Sequence, residues 1–310
     1  MLRLFQPSRE QKSIHAEFQE AGKNNADVIA VLSDGSIAKR FLCESKPLDD
    51  MSKKSEILLE LERPNGDRKQ ISGLGLDNSD YVYYVGELLR GNIIFAYGNP
   101  HPNHYPFKYS GLFLRIFDPL TQQYLSIPEG IHHIQAFAVS PKTKNIILGT
   151  NNEIIVLDPD AQSIKRRWKA NVSALTVLSD GCIVSGDGFC DSKGENPAWI
   201  GKIIIWDSSG NPLKIWDAPT FSLTTSVDKA LIISRGINTG QKLLSVWDPH
   251  TGHQIASQPD ENIYLGQRPL VMLPSGELIN SPRSWRLTIA RDFVPILQQK
   301  AIDHSRALRQ

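Results

Sequence analysis

One phrase returns along the chain and limits what it can fold into. "GLFLRIFDPLTQQ" (111–123), "NEIIVLDPDAQS" (152–163), "GKIIIWDSSG" (201–210) and "QKLLSVWDPHTGHQ" (241–254) share a single form. Each has a β-favouring run, an aromatic residue or Leu, an Asp, and then turn residues. The aspartates Asp118, Asp158, Asp207 and Asp248 stand 40, 49 and 41 residues apart. Looser copies flank them, with Leu61-Glu62 in "EILLELERPNGD" and Ala290-Arg291 in "SWRLTIARDF". A second phrase precedes the first: "VLSDGSI" (31–37), "VLSDGCIVSG" (177–186) and "VMLPSGELI" (271–279), with "FAVSPKTKNIILG" and "SVDKALIIS" as looser versions. Self-similarity at roughly 40–50 residues identifies a repeat architecture, in which units bury their apolar faces against one another.

Each unit parses into four short strands. Over 172–216, "VSALTVL" alternates, "SDG" turns the chain, and "CIVSG" is a second strand; "KIIIW" and "LKIW" follow, joined by "DSSGNP". Gly supplies positive φ in such turns, and Asp or Ser bonds the local backbone. The third strands are apolar almost continuously, as a strand covered on both faces requires. Helical periodicity is confined to the ends, around 9–22 and 294–310. The expected fold is all-β: a single β-propeller of four-stranded blades with short helical ends. The slots give six blades, at about 26–72, 80–128, 133–169, 171–217, 220–258 and 264–297. "LRLFQPSREQKSI" at the N-terminus reads as a third-and-fourth-strand hairpin. It either closes the ring against the last blade, removing an open edge, or belongs to a seventh, incomplete blade. The propeller is expected over residues 1–297, with 1–14 closing the ring and 298–310 a C-terminal tail of helical character.

The phrases "VWDPHTGHQI" and "IVSGD…GKIIIWDSSG" resemble those of WD-repeat propellers, over roughly residues 26–297 and most specifically in about four repeats. Members usually carry a Gly-His pair before the first strand. Here "GIHHIQAFAVSP" (130–141) comes near, with different spacing. The hydrogen-bonded His–Ser/Thr–Trp–Asp arrangement that the resemblance implies is therefore expected to be incomplete, as in a divergent WD-like propeller. Trp206 and Trp247 are read as filling the space between blades, where an aromatic side chain is core material. Asp118, Asp158, Asp207 and Asp248 are read as caps of the following turns.

Composition narrows the function. A net charge of +1 supplies no global field for nucleic acid or an anionic membrane. No apolar run approaches the roughly 18 residues of a membrane span, and the N-terminus turns polar too soon for a secretory signal. Three cysteines without a C-x-x-C pair fit a reduced, cytoplasmic compartment. Neither a G-x-S-x-G elbow nor a phosphate-binding loop is present. His101 with His104, and His250 with His253, have a spacing that can ligate a metal. Neither pair has further ligands nearby in sequence, so no metal or cofactor is expected. "SGDGFCDSKGENPAW" (185–199) offers Asp187, Asp191 and Glu195 but lacks the ligand order of a calcium loop. Its Cys190 has no neighbouring base or helix start to activate it. The basic run "SIKRRWK" (163–169) falls on an outermost strand, where charge deters edge pairing or meets an anionic partner.

Insertions carry the functional signal. Long connections are expected between second and third strands at 43–55, 98–110 and 187–201, and a shorter one at 235–241. In a propeller these emerge on one face, which usually marks the binding face. They and the 281–285 segment hold His101, His104, Tyr105, Tyr109, Trp199, Arg235, Arg283 and Trp285, residue types common at interaction hot spots. The reading is a non-enzymatic, monomeric adaptor that binds a protein partner within a larger complex. The alternative is a propeller hydrolase, lactonase or small-molecule binder acting at the channel mouth. Asp27, Asp80, Gln135, Asn171 and Thr220 stand at the strand entrances there, although the first strands themselves are mostly apolar. Removal of residues 1–14 is expected to lower the melting temperature of the whole domain. An unchanged melt would show that the last blade does not need them.

Overall fold

Val, Ile and Leu runs cut every few residues by Asp, Ser and Gly favour short antiparallel strands over helices. The computed structural model describes residues 26–31, 36–43, 56–71, 81–88, 92–98, 112–118, 120–121, 123–131, 133–158, 163–191, 198–226, 228, 230–238, 240–260, 270–272, 278–280 and 288–289. Among them every regular element is a strand, and no helix is long and apolar enough to cross a membrane. The segments read as helical, around 9–22 and 294–310, lie outside the described residues, as do residues 1–14, expected to close the ring, and the tail.

The first sheet is β1 (Ala26–Val31), β2 (Ile37–Cys43), β3 (Glu56–Glu62) and β4 (Arg68–Ile71). The second is β5 (Tyr81–Glu87), β6 (Ile93–Gly98), β7 (Phe113–Asp118) and β8 (Gln123–Leu125). The third is β9 (Ala136–Val139), β10 (Ile146–Gly149), β11 (Glu153–Asp158) and β12 (Ser163–Lys169). In the fourth, β13 (Ala174–Val177) and β14 (Ile183–Gly186) are followed by a separate ribbon, β15 (Phe189–Asp191) with β16 (Ala198–Ile200). The sheet then resumes with β17 (Lys202–Trp206) and β18 (Pro212–Asp217). The fifth is β19 (Thr220–Thr225), β20 (Ile232–Asn238), β21 (Gln241–Trp247) and β22 (Gln254–Pro259). The last, three-stranded among the described residues, is β23 (Val271–Met272), β24 (Leu278–Asn280) and β25 (Thr288–Ile289).

Every sheet is an antiparallel meander in chain order. The first strands β1, β5, β9, β13, β19 and β23 are neighbours in turn, and β23 returns to the side of β1. That circle of first strands makes the sheets blades of a β-propeller. Each described sheet falls within one segment expected from the repeat, except that β22 of the fifth runs one residue beyond it, to Pro259.

Alternation places the core between blades. Ile204 and Trp206 turn to the third sheet, joining Ile147, Ile154 and Val156. Ile203 and Ile205 turn to the fifth, joining Leu223 and Ile232. A third strand therefore has no polar side, and each full burial contributes about 1.5–3 kcal/mol. The first blade is different. Ala38, Leu59 and Leu61 pack toward the second sheet. On the opposite face Lys39, Glu60 and Glu62 are buried, with the Lys39 ammonium paired to Glu62 and Gln70 Nε2 donating to Glu60 at 3.3 Å. Pairing is what makes burial of these charges tolerable.

The Trp-Asp phrase now has a geometry. Trp206 Nε1 donates to Ser185 Oγ on the second strand at 2.8 Å, and Trp247 Nε1 donates to Ser234 Oγ at 2.8 Å. Each ring also meets a Trp from the outer strand of the preceding blade. Trp168 and Trp206 have centroids 6.0 Å apart, and Trp216 and Trp247 are 5.9 Å apart. Trp168 lies over Gly210, where a Cβ would come within 2.8 Å of the ring, and Trp216 lies less tightly over Gly252, where the nearest ring atom would be 3.3 Å away. Asp207 accepts from the N–H groups of Ser209 (2.7 Å) and Asn211 (2.9 Å). Hydrogen bonds from the Asn211 side chain and backbone hold its carboxyl below the ordinary range. Asp248 caps in the same manner through His250 N–H and Thr251 Oγ1, and Asp118 through Leu120 N–H. Asp158 pairs with Lys165 Nζ at 2.9 Å, and the turn that follows it lies outside the described residues.

Trp206→Ala is expected to cost about 3–5 kcal/mol in a denaturant titration. Trp247→Ala, at a half-buried site, should cost less, and Asp248→Ala about 0.5–2 kcal/mol. A near-neutral Trp206 variant would contradict the contact. Gly210 and Gly181 both have positive φ (88° and 94°), but Gly181 has open space around it. Gly181→Ala should therefore show only the left-handed backbone cost of about 1–2 kcal/mol. Gly210→Ala should cost more, and the excess should disappear in a Trp168→Ala background.

Candidate functional site

In a four-stranded meander the second-to-third connections share one end of the sheet with the links to the next blade. Three long insertions stand there: β2 ends at Cys43 and β3 begins at Glu56, β6 ends at Gly98 and β7 begins at Phe113, and β14 ends at Gly186 and β17 begins at Lys202. The fourth expected insertion, 235–241, is not a loop. β20 continues through Arg235 to Asn238, which pairs with Gln241 across a tight turn at Gly240. Ile233, Arg235 and Ile237 are all buried along it, so packing between blades extends the strand.

The insertion of the fourth blade is ordered by its own ribbon. Asp187 prolongs the sheet, donating its N–H to Lys202 O at 3.0 Å, and its carbonyl accepts from Thr220 N at 2.7 Å in the next blade. A Cβ at Gly201 would lie 2.2 Å from that carbonyl, so glycine is required there. Burial raises the Asp187 carboxyl above its usual range, against a hydrogen bond from Lys202 N–H. In the ribbon Phe189 pairs with Ile200 and Cys190 with Trp199. Trp199 meets Phe221 of β19 edge-on, with centroids 5.1 Å apart. The other face of the ribbon turns outward, leaving Phe189 53% and Ile200 43% exposed. The result is an apolar projection held on a fixed base.

Trp199 was expected as a contact residue; the structure places its ring on Phe221, where it fastens the ribbon. Arg235 was expected at an exposed rim, and that does not hold. It is buried, with Nε 2.8 Å from Asp260 Oδ2, because its strand faces the interior between blades. His101, His104, Tyr105, Tyr109, Arg283 and Trp285 lie outside the described residues. Phe189 and Ile200 escaped the sequence reading. Their signal was the alternation within "FCD" and "AWI", which sends one apolar residue inward and its neighbour outward.

At the channel entrances, Gln135 is buried and its N–H bonds Gly149 O, while the buried Thr220 hydroxyl donates to Ala218 O. Asn171 is exposed, Asp27 lies on β1, and Asp80 is outside the described residues. The Cys182 thiol is pushed up to about 11 by burial and by Asp180 beside it, which makes it a poor nucleophile at neutral pH. Among the described residues, no group of three or more His, Cys, Asp or Glu side chains is gathered to hold a metal.

No family model matches the chain, and no curated protein matches it in sequence. Similar folds are found among solved structures. The hydrazine synthase of Kuenenia stuttgartiensis is 13% identical, with a TM-score of 0.52, over 81% of this chain and 72% of that one. The Dos1 propeller is 12% identical, with a TM-score of 0.47, over 79% of this chain and 70% of that one. At these identities the likeness is one of fold.

Proposed function

We propose that this chain is a divergent WD-like, six-bladed propeller acting in the cytoplasm as a non-enzymatic adaptor. It holds a protein partner on the face that carries the second-to-third-strand insertions. The observation behind this reading is the β15–β16 ribbon, whose inner Trp199 is seated on Phe221 while Phe189 and Ile200 face solvent side by side. Paired apolar side chains on a pre-ordered support bury area on binding with little further loss of freedom. The segments joining β6 to β7 and β24 to β25 add His101, His104, Tyr105, Tyr109, Arg283 and Trp285 to the same reading.

Co-purification with the intact chain would supply the partner, and titration calorimetry would test the site. Phe189→Ala and Ile200→Ala together should weaken binding by about 2 kcal/mol or more, with the melting temperature almost unchanged. Trp199→Ala should weaken binding as well, through loss of the ribbon's seat. Wild-type affinity in the double variant would remove the ribbon from the interface. A small molecule retained by the purified chain, with no protein partner, would favour the channel-mouth alternative.

A further inference from the structure

From the first blade to the last, each junction with the next blade is closed by apolar side chains. Leu59 and Leu61 meet Val82 and Phe95 between the first and second blades. Ile94 and Ile116 meet Phe137 and Leu148 at the next junction, and the Trp pairs complete the two that follow. Ile233 and Leu244 of the fifth blade meet Leu270 and Leu278 of the last. The fifth blade also buries the Arg235–Asp260 pair, in which one cation answers one anion.

The seam where the ring returns to its start is built otherwise. β23 lies beside β1 there. Alternation along β2, β3 and β4 sends Ala38, Leu59, Leu61 and Ile71 toward the second blade. It sends Lys39, Glu60 and Glu62 to the opposite side, where all three are buried. Lys39 stands across from Glu60 in the ladder and pairs with Glu62, while Arg68 at the exposed rim is 3.9 Å from Glu62. Among the described residues, the last blade brings Val271 to this side, because Leu270 and Met272 turn to the fifth blade. An aliphatic side chain offers these ions no hydrogen bond. Closing the seam therefore dries charged groups against an apolar surface, and parting it lets water back to them. The apolar junctions gain from closure, whereas ions give up hydration for it.

We infer that the propeller ring opens at the seam between its first and last blades while the other junctions stay closed. Stability is not uniform across a fold, and the part that opens first is the one whose contacts gain least. The Lys39–Glu62 pair stays within the first blade in both states, so the cost of drying it sets the balance between them. The inference rests on the arrangement of the blades and does not use the adaptor reading.

The test measures distances across the seam in the full chain by double electron–electron resonance, with the three native cysteines replaced by serine. Arg63 and His250 are exposed in the third-to-fourth-strand turns of the first and fifth blades, so labels at Arg63→Cys and His250→Cys span the last blade and the seam. Leu120→Cys and Ser209→Cys, in the same turns of the second and fourth blades, span two apolar junctions as the control. The control pair should give one narrow distance, and the seam pair a second, longer one. Lys39→Met leaves the carboxylates without their buried ammonium and should raise the longer population severalfold. Adding Glu60→Leu and Glu62→Leu to it removes the ions and should abolish that population. If Lys39→Met fails to fold, Glu60→Gln, which removes one buried charge and keeps a partner for Gln70, should lower the longer population. A seam pair as narrow as the control in the wild type would overturn the inference. So would equal broadening of both pairs, or a longer population that none of these substitutions changes.

Discussion

Contact between neighbouring blades is the constraint on which this propeller depends, and its most specific form is the aromatic pair that joins them. An outer-strand Trp of one blade lies on the third-strand Trp of the next, at Trp168–Trp206 and again at Trp216–Trp247. The third-strand indole is fixed from behind by a serine of its own second strand. The outer Trp covers a glycine in the neighbouring hairpin turn, closely enough at Gly210 that any side chain would strike the ring. One contact thus sets the spacing of two sheets, the rotamer of a core residue and the identity of a turn residue. Dispersion between rings and a buried N–H bond add up where a lone sheet would have a bare face.

The aspartate that follows the third-strand aromatic does a different job. Asp207 and Asp248 gather the N–H groups of a tight turn that has no strand partner for them. This keeps the third-to-fourth connections short, so length accumulates at the other end of the sheets. The β15–β16 ribbon shows how such an insertion becomes ordered. It borrows Phe221 from the next blade as a seat and uses the Asp187 carbonyl to tie its base to Thr220.

The first blade has its own solution. Its face toward the second blade is apolar, whereas its other face buries Lys39, Glu60 and Glu62. Breaking such a pair strands a charge, so polar burial is more demanding of geometry than the Ile- and Leu-lined contacts elsewhere.

The sequence by itself determined the strands, the turns and their grouping into blades. These rest on local physics: alternation, continuous apolar third strands, and Asp, Ser and Gly at fixed offsets. It also made Trp206 a core residue and set Trp247 half-buried against the core, because a repeat cannot reuse a reactive constellation at every turn of its fold. Only the tertiary structure decided which way individual side chains point. Arg235 looked like part of a solvated loop, yet its strand runs on because the neighbouring blade covers it, and Asp260 answers its charge. The seat of the Trp199 ring against Phe221, 22 residues further on, and the outward turn of Phe189 and Ile200 likewise depend on the next blade. Partners distant in the chain determine burial, and a single sequence carries no record of who meets whom across a blade.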